Sequence, residues 1–385
     1  MIQSIRFFLS LMLLCTLGFG TLNAQVTTSS MSGTVVGANG DPLPGATVLA
    51  IHEPTGTRYG VVTRSNGRYN IANLRVGGPY RVESTFLGFE TQTKQGFMLT
   101  LGKNQTINFE MKESTTVLED VTVTAGSVEI NSDRTGAATV IDNERLKIIP
   151  TISRSASDIY RLTPSSDGNS FGGRNDQFNN FSLDGSIFNN PFGLDAATPG
   201  GQSNAQPVSL DAIDQIQVSI APYDVTQSGF TGAAVNAVTK SGTNEFKGTA
   251  FSFYRNQSMT GSKVRGEEIF VPDLNQFQAG FSLGGPIIKD KLFFFANFEL
   301  ERRDDLGTNF RANRPGITGE NISRVSAADL DAVSDILSSR FGYETGAYEG
   351  YIHNTDNQKG ILKLDWNINE KHLLTATYNF LDAFR

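Results

Sequence analysis

Three histidines, His52, His353 and His372, and one cysteine, Cys15, are the only imidazole and thiol groups in the 385-residue chain. Imidazole and thiolate are the usual ligands of a catalytic zinc ion and the usual partners of a nucleophile. The three histidines lie far apart, and none opens an HxxH, HExxH or HxxE pattern, so zinc-hydrolase chemistry is not expected. A single thiol cannot build a disulfide framework. Gly172-Gly173 and Gly200-Gly201 do not form GxGxxG, no GxxxxGK(S/T) occurs, and Thr239-Lys240-Ser241 lacks a preceding glycine loop. These are read as turn glycines, not as a phosphate cradle. The net charge is −7 and no basic block occurs, which argues against a nucleic-acid partner. No catalytic residue, metal or cofactor is expected, and the chain is not read as an enzyme.

The chemistry left to such a chain is non-covalent, and the backbone can carry it. Residues 114–126, STTVLEDVTVTAG in the sequence, have no core of their own, yet Val117, Leu118, Val121 and Val123 favour an extended strand. One reading is an ordinary linker between two domains. The other is a docking strand, because an extended segment with free N–H and C=O groups can add itself to the open sheet edge of another protein.

The composition says what kind of elements surround that segment. With 39 Gly, 27 Phe and 10 Tyr but only 18% charged residues, the chain suits all-β structure with many turns. Residues 1–24 read as a signal peptide: Arg6 is the positive end, Phe7 to Gly20 is the apolar run, and a cut follows Ala24. A lipoprotein signal at Cys15 is the rival, and either exports the protein. From residue 31 to 112 short strands are predicted at Gly33–Val36, Ala46–Ile51, Arg58–Thr63, Arg68–Ile71, Tyr80–Phe86 and Gln105–Met111. Turns at Asn39-Gly40-Asp41-Pro42 and Ser65-Asn66-Gly67 punctuate them. The expectation is a small antiparallel sandwich.

GTVVGANGDPLPGATV, followed by TRSNGRYNIANLRVGGPYRVESTFLGFE, resembles the carboxypeptidase-regulatory-like domain, a transthyretin-type sandwich. No peptidase unit follows it, so the resemblance implies a spacer or binding module. Farther on, short helices are predicted at Asn143–Ile149 and from a Ser155–Asp158 cap, and strands at Gly136–Ile141, Gln177–Leu183 and Ile213–Val218. The series GRND, FSLDG, LDAIDQIQVSIAPYD and SGFTGAAVNAVTKSGTNEFKG resembles the plug of TonB-dependent outer-membrane receptors, in particular the Oar-like subgroup. Arg174-Asn175 stands where the siderophore-receptor plug has arginine-glycine, which puts an iron-siderophore assignment in doubt. Glu119–Ala125 resembles the TonB box, which implies that Val121, Thr122, Val123, Thr124 and Ala125 pair with a TonB-type energy-transducing protein. Ile187–Gly193 would then be the plug apex, with Phe188, Asn189, Asn190 and Phe192 facing a ligand.

Five runs after residue 246 alternate with period two: Phe246–Arg255, Gln276–Gly284, Leu292–Glu301, Lys359–Trp366 and His372–Phe380. Each is close to the length of a tilted transmembrane strand. Thr249, Phe251 and Phe253 are set against Gly248, Ala250 and Ser252. Phe277, Phe281 and Leu283 are likewise set against Gln276, Gln278 and Ser282. Connections run long, short, long, short, as outer-membrane barrels require. GGPIIKDKLFFF resembles the turn of the Oar-like barrel. In the long loop, Leu330, Val333, Ile336, Leu337 and Phe341 predict an amphipathic helix from a Ser326 cap to a Gly342 stop, packed on its own loop.

The fold expected is mainly β: a transthyretin-like sandwich (25–113), a linker with the TonB-box-like strand (114–126), a small α+β plug (127–245) and the first strands of a transmembrane barrel (246–385). Plugged barrels need about 22 strands, so five imply a fragment or a truncated product. The function expected is TonB-dependent movement of an unidentified extracellular substrate across the outer membrane, with lipid around the barrel and the sandwich in the periplasm. The alternative is a surface-exposed β-rich adhesion protein without transport.

Overall fold

The computed structural model describes residues 26–114, 121–124, 138–151, 154–160, 162–189, 198–203, 205–220, 227, 229–370 and 372–384. The signal-peptide reading therefore lies outside the described residues, as do Ala125, Asn190 and Phe192 among the site candidates. Two compact units form: Met1–Ile152 with Ser157–Asn189 and Ile213–Thr239, and Ser153–Ala156 with Asn190–Ala212 and Lys240–Arg385.

The first unit begins with β1 (Ser29–Gly37), β2 (Thr47–His52), β3 (Thr57–Val62), β4 (Arg68–Leu74) and β5 (Gly77–Thr85). It continues with β6 (Gln92–Leu99), β7 (Asn104–Thr106), β8 (Phe109–Met111) and β9 (Val121–Thr124). One sheet holds β4, β1 and β7, with β8 also on β1; the other has the order β3-β2-β5-β6-β9. Met31, Val35, Tyr69, Tyr80, Phe109 and Met111, drawn from both sheets, fill one core. The sandwich is not purely antiparallel: β7 and β8 run parallel to β1, and β9 runs parallel to β6. The chain leaves β6 in one sheet and returns in the other beside its first strand, so the pairing with β1 reverses sense. Buried phenols find acceptors, as buried polar groups must. Tyr69 Oη donates to the Ile107 carbonyl (2.7 Å) and Tyr80 Oη to the Arg75 carbonyl (2.7 Å).

His52 is buried in this core, with Nδ1 2.7 Å from Thr55 Oγ1 and its ring 4.9 Å from that of Tyr80. Burial, with the positive charge of Arg75 adding to it, lowers its pKa to about 3 from 6.5. The unfolded chain therefore binds the extra proton between those values. The stability that neutral His52 supports is present above the unfolded pKa and is lost as pH falls toward the folded one. A His52→Gln variant is expected to show a smaller loss of stability between about pH 7 and about pH 4 than the parent, by up to roughly 3 kcal/mol, in denaturant titrations at the two pH values. Equal losses in both proteins would show that His52 is not held neutral.

The remainder of the unit is a five-stranded sheet. It contains β10 (Ala138–Asp142), β11 (Asn180–Leu183), β12 (Ser186–Ile187), β13 (Ile213–Ser219) and β14 (Ala234–Thr239), ordered β10-β13-β14-β11-β12. Two short helices accompany it, α1 (Asn143–Ile148), capped by the Asp142 side chain on Arg145 N–H, and α2 (Ala156–Tyr160). The run expected as a strand from Gln177 starts at Asn180 instead, because Asn175 caps a 3₁₀ turn over Asp176–Phe178. Gln215 joins this sheet to the sandwich by accepting from Leu101 N–H (2.9 Å) and donating to the Leu99 carbonyl (3.1 Å).

The second unit is dominated by an antiparallel meander of β15 (Lys247–Asn256), β16 (Leu274–Ile288), β17 (Leu292–Leu306), β18 (Ile352–Asn369) and β19 (His372–Phe384), paired in chain order. At 10, 15, 15, 18 and 13 residues, most exceed the alternating runs that announced them. Residues 257–273 and 307–351 form the long connections, and 289–291 and 370–371 the short ones. The long loop carries α3 (Ala327–Phe341), capped by Ser326 Oγ on Asp329 N–H and ended by Gly342 at φ 62°.

The apolar stripe of α3 is covered only in part: Leu330 and Leu337 are half-buried, whereas Phe341 is 73% exposed, and Val333 and Ile336 are exposed with it. Polar bonds hold the helix through a different face. Tyr348 Oη donates to Asp331 Oδ1 (2.8 Å), Ser334 and Thr345 share a bond (2.7 Å), and Ser338 donates to Glu344 (2.7 Å). Residues 331, 334 and 338 lie on one side of a 3.6-residue helix.

Candidate functional site

Antiparallel partners share a face, so the register of the meander sorts its side chains. Gln278, Asn297, Glu299, Asn357, Lys359 and Asp365 lie on one face and are buried. Phe281, Leu283, Leu362, Leu364, Trp366 and Tyr378 lie on the other and are exposed, Phe281 by 50%. A soluble sheet has the opposite distribution. This wall is turned inside out, as in a barrel with a polar interior and an apolar exterior. The exposed face is continuous, because Phe281, Phe298 and Phe380 form a row with ring centroids 6.2 and 6.3 Å apart.

One strand keeps its expected alternation but turns its aromatic side chains inward. Phe251 pairs with Gly280 and Phe253 with Gln278, so both point to the polar interior. Gly248, Ala250 and Ser252, paired with Leu283, Phe281 and Ala279, face outward. Gly280 makes the room: a Cβ there would meet Phe251 Cζ at 2.7 Å. The guanidinium of Arg154 lies over both rings, 4.6 Å from Phe251 and 4.1 Å from Phe253. Such stacking supplies attraction that an interior aromatic would otherwise lack. Burial lowers the Arg154 pKa, against the opposing pull of Glu299 and Asp211.

The interior face is knit together by hydrogen bonds to two carboxylates. Glu299 is 0% exposed and directly opposite Lys359 in the register. Lys359 Nζ lies 2.9 Å from Glu299 Oε1, and Gln278 Nε2 donates to the same oxygen at 2.7 Å. Glu301 accepts from Gln276 (2.6 Å) and Asn357 (3.0 Å).

Residues 198–212, which precede the meander by several dozen positions, lie along this polar face. Ser209 Oγ donates to Glu299 Oε2 (2.5 Å), and Asn379 Nδ2 donates to the Pro207 carbonyl (3.2 Å). Gly200 lies against Leu381, whose Cδ2 a Cβ would meet at 2.5 Å, and its φ of 81° is one that favours glycine. At the other end, Thr249 Oγ1 donates to Asp211 Oδ2 (2.6 Å), and Lys240 Nζ lies 3.4 Å from Asp211 Oδ1. Burial alone would raise the Asp211 pKa, but the Thr249 and Ser282 hydroxyls and the Lys240 charge outweigh it and lower it. The segment is thus fastened to the first, third and last strands of the wall. Sequence patterning missed it because the alternation of Pro207, Ser209 and Asp211 with Val208, Leu210 and Ala212 is short and follows a polar, glycine-rich stretch that reads as a loop.

Among the proposed ligand-facing residues, Phe188 and Asn189 are described. Asn189 is committed to its own sheet: its Oδ1 accepts from Phe181 N–H (2.8 Å) and its Nδ2 donates to Asn180 Oδ1 (3.0 Å). The docking-strand candidates Val121–Thr124 form β9, a strand in fact, paired with β6.

Comparison with known proteins bears on the same elements. Residues 30–112 match the carboxypeptidase regulatory-like domain and residues 238–384 an outer membrane beta barrel domain. The chain is 28% identical over 291 residues to the TonB-dependent transporter Oar of Myxococcus xanthus, covering 70% of this chain and 26% of Oar. It is 32% identical over 173 residues to a probable TonB-dependent siderophore receptor, PirA, of Acinetobacter baumannii, covering 41% of this chain and 20% of that protein. Among solved structures, the ferric enterobactin receptor PfeA of Pseudomonas aeruginosa aligns at 17% identity, covering 66% of this chain and 34% of the receptor, with a TM-score of 0.43. The chain spans about a quarter of the length of Oar.

An inside-out strand wall with a polar interior, preceded by a regulatory-like sandwich, defines an outer-membrane β-barrel protein. Over 70% of its length the chain is similar to a TonB-dependent transporter, Oar, and its two matched domains are a carboxypeptidase regulatory-like domain and an outer membrane beta barrel domain.

Proposed function

We propose that the protein moves an extracellular substrate across the outer membrane, energised by a TonB-type partner that captures Val121–Ala125 as an added strand. The observation that carries this reading is the 198–212 segment fastened across the polar face of the wall by Ser209–Glu299 and Thr249–Asp211. A segment fastened in a barrel interior by hydrogen bonds closes a path that a pull can reopen. The plug is taken as 127–245, with the sandwich and the 114–126 linker on the periplasmic side, and a signal peptide at 1–24. Phe188, Asn189, Asn190 and Phe192 stay the proposed ligand-facing apex. There Asn189 serves to shape the loop, its side chain being already bonded within its sheet. The outer face of the wall meets lipid.

Deleting Glu119–Ala125 from the membrane-inserted protein tests the reading. The variant is expected to keep its place in the outer membrane and to lose capture by the periplasmic domain of the energy-transducing protein. Undiminished capture would rule the mechanism out.

A further inference from the structure

The sandwich and the five-stranded sheet of residues 138–239 are joined twice, by the chain itself and by a contact between their folded surfaces. The contact is built on the turn between β6 and β7, Thr100-Leu101-Gly102-Lys103, closed by Lys103 N–H on the Thr100 carbonyl (3.2 Å). Its back is tied to the start of β1. Gly102 N–H donates to the Thr28 carbonyl (3.0 Å), and Ser30 N–H and Ser29 Oγ donate to the Lys103 carbonyl (3.1 and 2.7 Å). A turn held in this way is a stiff prong. Its one large apolar side chain, Leu101, is fully buried, yet it stands apart from the sandwich core. It clusters with Val76 and with Val238 of the five-stranded sheet, and Val26 and Val140 pack around them. Gln217 is opposite Val140 and Gln215 is opposite Val238, so these four residues share one face across β10, β13 and β14. Gly102 lies against Gln217, whose amide a Cβ would meet at 2.8 Å, and its φ of 66° favours glycine.

We propose that this prong makes the sandwich and the five-stranded sheet one cooperative body, so that the sandwich is a handle on the plug. The proposal rests on the reading of residues 127–245 as a plug. Two features make the joint a fixed one. The Leu101 side chain sits among apolar groups from both partners, which attract each other only while water is kept out. Beside it, Gln215 is buried and has both halves of its amide bonded, to Leu101 N–H and to the Leu99 carbonyl. Any sliding of one surface on the other would leave these buried groups unpaired, which is costly, so the joint holds a single register. A spacer hung on the linker would transmit nothing until the linker was taut. Through the prong, whatever holds or turns the sandwich acts at once on three neighbouring strands of the plug.

The test is a urea titration of the full-length, membrane-inserted protein, with pulsed hydrogen exchange read separately on β4 (Arg68–Leu74) in the sandwich and β14 (Ala234–Thr239) in the plug. Coincident transitions mark one cooperative unit. In the parent the two strands are expected to lose protection at the same urea concentration. Leu101→Asp, which puts a charge among the apolar groups, breaks the joint from the sandwich side. Gln215→Ala, which removes both amide bonds, breaks it from the plug side. Each variant should split the two midpoints by about 0.5 M urea or more, the shift expected for slopes typical of small domains. Gln215→Glu keeps an acceptor for Leu101 N–H and should split them less. Separate midpoints in the parent overturn the proposal, and so do midpoints that stay together in both joint-breaking variants. Failure of the transport reading looks different: capture persists without Glu119–Ala125, while the coincidence of the midpoints, measured without substrate or partner, is untouched.

Discussion

Replacing Glu299 by alanine is expected to loosen the wall and unfasten the interior segment together. Its carboxylate carries three bonds at once, from Lys359, Gln278 and Ser209, on a fully buried side chain. Removing one member of a buried ion pair strands the other charge without water, at a cost of roughly 3–5 kcal/mol. Lys359 is nearly as buried as its partner and would bear that cost. Truncating both, Glu299→Ala with Lys359→Ala, removes the stranded charge and should recover part of the loss, the signature of a coupled pair. The measurement is the urea midpoint of the membrane-inserted protein. Protease cleavage within residues 198–212 serves as a second readout, since Ser209 would lose its acceptor. Equal midpoints for the parent and the Glu299→Ala variant would show that the network does not hold the segment.

The same network shows where the sequence was informative. Period-two alternation located all five wall strands, because a wall between lipid and a polar interior must alternate strictly. The alternation of long and short connections gave the topology for the same reason. Ser326 and Gly342 bounded α3 correctly, since caps act locally. Three features were not legible. β6, with its polar QTKQ start and Gly96 inside, has no strand pattern, and it forms because β5 supplies an edge. The interior segment reads as a loop because it joins no backbone ladder, and bonds from side chains of the wall place it. The side that Phe251 and Phe253 take was not legible either, since their alternation separates two faces without saying which one meets lipid. Only the pairing of Phe251 with Gly280 and the Arg154 guanidinium above the two rings turn them inward. The sign of a face in a single strand is set by its neighbour's register, which a one-strand pattern does not contain.

That reversal carries the second large prediction. If register decides the face, arginine at Ala250 should be as damaging as arginine at its partner Phe281, although Ala250 sits in the small and polar half of its own strand. Arginine on the lipid side of a barrel costs roughly 2–4 kcal/mol near the membrane midplane, whereas interior positions tolerate polar groups. Leu362→Arg belongs to the costly set, being exposed on the same outer face as Phe281. Phe253→Gln should be mild by comparison: it forfeits the contact with Arg154, worth about 0.5–2 kcal/mol, but exposes no charge to lipid. Heat-modifiable migration of each variant, extracted from outer membranes, ranks them. Ala250→Arg, Phe281→Arg and Leu362→Arg should each reduce the folded fraction, and Phe253→Gln should leave most of it. An aromatic face turned to lipid demands the reverse order for positions 250 and 253. If Ala250→Arg folds like the parent while Phe253→Gln does not, β15 lies with its aromatic face toward lipid and the register across β15 and β16 is wrong.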